Sequence, residues 1–71
     1  MKDTYDDKYS IKEELYGVIS LGIEIMIDGK VYSKENLEEG SVLLETGEYM
    51  RDFIANDSGK IILIHYDHIY E

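Results

Sequence analysis

Apolar and polar positions along this chain fall into short blocks, each with its own period. Ile11, Leu15, Val18 and Ile19 recur at helical spacing, with Lys12, Glu13 and Glu14 on the other face. Ser10 and Glu13 frame the start as a capping box, in which the serine hydroxyl accepts from the third helical amide and the glutamate reaches back. The pattern predicts a short helix closing between Gly17 and Leu21. Extended structure over Leu15 to Ile19 is the rival, because Tyr, Val and Ile favour strands.

The period then changes to two. Ile23, Ile25 and Ile27 alternate with Glu24 and Met26, Asp28-Gly29 supplies the positive-φ pair of a type I′ turn, and Lys30-Val31-Tyr32 returns. This hairpin sets Ile25 beside Tyr32 and Met26 beside Val31, with the isoleucines and Tyr32 facing the core. Ser33 to Gly40 reads as one helical turn or a structured loop, capped by Ser33, closed by Gly40 and pinned by Leu37. Val42-Leu43-Leu44 reads as a third strand, Thr46-Gly47 as a turn or bulge, and Tyr49 to Ala55 as a fourth strand. Asn56-Asp57-Ser58-Gly59 is turn chemistry throughout, and Lys60 to Tyr66 completes a second hairpin. The apolar run Ile61 to Ile64 predicts a strand covered on both faces, central in the sheet or buried between copies. Residues 1–9 predict a mobile acidic tail before a single domain over residues 10–71.

The predicted fold is α+β: a short N-terminal helix packed on a small antiparallel β-sheet or open barrel of four to five strands. Ile23, Ile25, Ile27, Leu43 or Leu44, Phe53, Ile62 and Ile64 are expected to form the apolar face under the helix.

Composition adds two constraints. A chain of 71 residues buries only about 60% of its unfolded surface, and the absence of Cys removes disulfides and most zinc sites. A homo-oligomer or a tight partner is therefore expected to support the core. Sixteen acidic against seven basic residues give a net charge of −9, a field that repels phosphate backbones and anionic membranes. Direct nucleic-acid and membrane binding are disfavoured on that ground. The N-terminal residues lack the basic and apolar regions of a signal peptide, and Gly17 to Ile27 is too short and too broken by Glu24 to span a bilayer. A cytoplasmic location is expected.

Candidate chemistry is sparse. His65 and His68 are metal-ligand types, but residues three apart on a strand point to opposite faces and no third ligand is visible, so they make weak metal candidates. There is no Cys nucleophile, Gly-flanked Ser, phosphate loop, dinucleotide fingerprint or calcium loop, so the chain reads as a non-enzyme without a cofactor. Paired carboxylates are too abundant for any single pair to be specific. What remains is the acidity itself, which can attract a protein with a basic surface. Asp6, Asp7, Glu13, Glu14, Glu35, Glu38 and Glu39 are the expected partner-binding acids, with Tyr49 and Tyr66 as rigid contact area. The alternative is an oligomer that sequesters a signalling nucleotide, with Arg51 and Lys60 holding phosphates.

The Pro-free, Ile-, Tyr-, Asp- and Glu-rich style of the chain is clearest in Ile23-Glu24-Ile25-Met26-Ile27-Asp28-Gly29-Lys30 and Asn56-Asp57-Ser58-Gly59-Lys60. It resembles small acidic phage or mobile-element proteins of low-GC Gram-positive bacteria. That resemblance implies an inhibitor of host defence or a regulator of host machinery, and it implies no site residue.

Overall fold

The computed structural model describes residues 10–69, so the tail expected over residues 1–9, with Asp6 and Asp7, lies outside the described residues. Six elements follow in order: α1 (Ile11–Ser20), β1 (Glu24–Ile27), β2 (Lys30–Tyr32), α2 (Leu37–Leu44), β3 (Tyr49–Ala55) and β4 (Ile61–His68). The capping box at Ser10 and Glu13 forms as expected. At the other end Gly22 (φ 82°) takes the left-handed position, its amide donating to Ile19 O at 2.9 Å and that of Ile23 to Val18 O at 3.4 Å. That pair of bonds is a Schellman closure, and it turns the chain directly into β1.

The first hairpin has the expected register, with Ile25 beside Tyr32 and Met26 beside Val31. Its turn holds Asp28 at φ 52° and Gly29 at φ 87°. The second hairpin pairs β3 with β4 antiparallel, with a bulge between Ile54 and Ala55. Its loop is organised by Asn56, whose side-chain oxygen accepts from the amides of Ser58 and Lys60, each at 3.0 Å.

The four strands lie in the order β2-β1-β4-β3. The α+β class, the strand number and the helix on the sheet are as expected, but the sheet is mixed. Its central pair, β1 and β4, runs parallel, with Ile25 beside Ile64 and Ile27 beside Tyr66.

The third strand expected over Val42 to Leu44 is instead the end of α2. Leu37, Gly40, Ser41 and Leu44 are buried at helical spacing, while Val42 and Leu43 face outward. Ser33 does not cap this helix, since its amide donates to the Asn36 side chain at 2.7 Å and its hydroxyl to Glu35 at 2.7 Å. Nor does Gly40 end it. A Cβ there would sit 2.7 Å from Ile27 Cδ1 and 3.1 Å from the Tyr32 ring, so glycine lets the helix close onto the first hairpin.

The core comprises Leu15, Ile25, Ile27, Tyr32, Leu37, Leu44, Ile64 and Tyr66. Ile23 packs at its margin. Phe53 and Ile62, expected inside, are 57% and 43% exposed. Ile62 is the residue skipped at the bulge, between Leu63 beside Ile54 and Ile61 beside Ala55, and Phe53 stands one position before Ile54. Strand β4 is central as expected, but Ile62 is exposed and Ile61 and Leu63 are only partly buried, so the run is not covered on both faces.

Candidate functional site

Both helices begin with paired acids, Glu13 and Glu14 in α1 and Glu38 and Glu39 in α2. Carboxylates in a first turn complement the helix dipole, so part of the acidity has a local folding reason. In α2 that reason leaves the side chains exposed. Glu35, Glu38 and Glu39, with Asn36 and Val42, line an open groove of about 300 Å³. Lys12 reaches Glu38 at 3.3 Å and ties the groove to α1. The Ser33 hydroxyl bond holds the Glu35 carboxyl below its usual range. These three expected acids are thus brought together on one surface.

The others are not. Glu13 is exposed, but its carboxylate accepts from the Ser10 amide at 3.4 Å to complete the capping box. Glu14 accepts from Arg51 Nε at 2.7 Å and Nη2 at 2.6 Å, and from the Tyr66 hydroxyl at 2.8 Å. Burial pushes the Glu14 pKa up, and the bonds from Arg51 and Tyr66 outweigh it and leave the group below its usual value. The same contacts raise Arg51, chiefly through its bond to Glu14, and burial with the Glu14 bond raises Tyr66. Tyr66 was expected at a contact surface and is instead fully buried, with Ile27 beside it across the parallel pair. Tyr49 is half-buried, its ring 6.0 Å from that of Tyr66, with Arg51 stacked over both. Arg51, the expected phosphate ligand of the alternative reading, is therefore engaged by Glu14. Lys60 stands apart, at the exposed end of the loop before β4.

His65 and His68 fall on opposite faces of β4, His65 beside Asp52 and Met26, His68 beside Tyr49. His68 has a structural setting that the sequence reading missed. Its Nδ1 lies 2.6 Å from Asp28 Oδ2, its Nε2 lies 2.9 Å from Leu43 O, and its amide donates to Asp28 Oδ1 at 2.9 Å. A carbonyl and a carboxylate both accept, so the doubly protonated ring satisfies both contacts. The bond to Asp28 accordingly raises the His68 pKa, and the bonds from His68 lower that of Asp28. Asp28 was legible only as a turn residue, since nothing local marks a partner 40 positions away. Among the described residues no group of three or more His, Cys, Asp or Glu side chains gathers to hold a metal ion. No helix among them is long and apolar enough to cross a membrane.

Fold and surface together define a small acidic α+β domain with an open, carboxylate-lined groove on its second helix. Compared with known protein families, with curated proteins and with solved structures, the chain matches none.

Proposed function

We propose that this chain works by binding rather than by catalysis, as an acidic protein that occludes a basic surface on a partner protein. Nucleic-acid-handling and host defence proteins present surfaces of that kind. The observation that supports this reading is the groove beside α2, where Glu35, Glu38 and Glu39 converge and Lys12 on Glu38 is the one cation bonded to them among the described residues. A net charge of −9 extends the attraction beyond contact range, speeding encounter and weakening as salt screens it. The inhibitory sense and the phage setting follow from the resemblance in style. Less supports the nucleotide-sequestering alternative, because the guanidinium it needs is bonded to Glu14.

The test begins with affinity capture and identification of the bound protein, followed by titration of that protein at several salt concentrations. Replacing Glu35, Glu38 and Glu39 together by Gln is expected to weaken association by about tenfold or more at low ionic strength and to flatten its salt dependence. Affinity and salt slope both unchanged would overturn the electrostatic reading.

A further inference from the structure

The sheet has two edges, and they are unlike. Strand β2 has three residues, Lys30 to Tyr32, whereas β3 runs for seven, with its inner side on β4 and no strand on its outer side among the described residues. A bare edge of that length offers a row of backbone donors and acceptors to another strand. Arg51 and Phe53 lie beside Tyr66 and Ile64 on the helix side of the sheet, so Met50, Asp52 and Ile54 share the face without helices. Met50 and Phe53 are 60% and 57% exposed. Arg51 folds back onto Glu14, which leaves Asp52 as a charge with no ion-pair partner among the described residues.

We propose that the outer edge of β3 takes an extended segment of a partner protein as a fifth strand, one with a Lys or Arg flanked at alternate positions by apolar residues. Strand addition satisfies the edge by main-chain bonds and reads alternate side chains. The basic residue then stands opposite Asp52, and its apolar neighbours stand opposite Met50 and Ile54. A second copy of this chain fits less well. Pairing over all seven residues of β3 would set Asp52 against Asp52, between two molecules of net charge −9. This edge shares no residue with the groove beside α2, so either surface can fail without the other.

The experiment follows amide hydrogen exchange of the whole chain while it is titrated with three synthetic peptides. The first has the sequence Thr-Ile-Thr-Lys-Thr-Ile-Thr, the second has Glu in place of Lys, and the third is the first with alternate backbone nitrogens methylated. The Lys peptide is expected to slow exchange within residues 49–55 and to bind about tenfold more tightly than the Glu peptide. Methylation on the edge-facing side is expected to abolish binding, and Asp52→Lys to reverse the preference between the first two peptides. The proposal is overturned if protection falls outside β3, if the Lys peptide does not bind at millimolar concentration, or if the Lys and Glu peptides bind alike. A concentration-dependent dimer that already protects β3 without peptide would also overturn it.

Discussion

At the scale of single residues, one carboxylate fastens the first helix to the sheet. Glu14 receives both forks of Arg51 and the hydroxyl of buried Tyr66. Glu14→Ala strands that hydroxyl and is expected to cost about 1–3 kcal/mol, whereas Tyr66→Phe removes a single bond and should cost about 1 kcal/mol. Arg51→Ala should lie at or below the latter figure, because its guanidinium is solvent-screened. Urea midpoints of the three variants check that order. Asp28 and His68 make the second fastening, and its pH dependence has a definite sign. The folded His68 pKa lies above its ordinary 6.5, so its contribution is complete below that value and fades as pH rises through the folded one. The Asp28 pKa lies below its ordinary 3.8, so its contribution holds above that value and is lost as pH falls through the folded one. Unfolding midpoints should therefore decline as pH rises above the ordinary histidine value of 6.5 and through the folded His68 pKa. Asp28→Asn, which keeps a residue tolerant of positive φ in the turn, should flatten the decline.

At the scale of elements, two helical glycines give opposite expectations. Gly17 in α1 has open space where a Cβ would lie, so Gly17→Ala should stabilise by about 0.5–1 kcal/mol. In α2, Gly40→Ala gains the same propensity but drives a methyl onto Cδ1 of Ile27 and against the Tyr32 ring, both buried in the core. The overpacking cost of about 1–3 kcal/mol wins, and the variant should melt lower. Ser10→Ala should remove about 1 kcal/mol by undoing the capping box. The same contrast explains what was legible. The start of α1 and both hairpins carry local signals, and each formed where those signals put it. Helix α2 was misread because Gly40 looks like a terminator and Val42-Leu43-Leu44 like a strand. The reason for a glycine there is a contact with Ile27 and Tyr32, which no local pattern displays.

At the scale of the whole molecule, the net charge of −9 acts against compaction as well as toward a partner. Raising salt from low to moderate concentration is expected to raise the urea midpoint of the isolated chain by screening that repulsion. A falling midpoint would mean that the bridges at Arg51 and His68 outweigh it. The acidic groove was partly legible, because Glu35, Glu38 and Glu39 lie within one turn of chain. Arg51 and Tyr66 were assigned outward roles because their partner Glu14 lies 37 and 52 positions earlier. Alternation along a strand says which face a side chain takes, not which element covers that face. The parallel pairing of β1 with β4 was invisible for the same reason, and it has a consequence for the order of assembly. A two-stranded hairpin is marginal alone, and the strand that completes β1 is the last in chain order of the described elements. During synthesis the first hairpin and α1 must wait without a finished sheet until residues 61–68 have left the ribosome. Folding of this domain is therefore expected to be a single late event, so a chain truncated before residue 61 should show no cooperative urea transition.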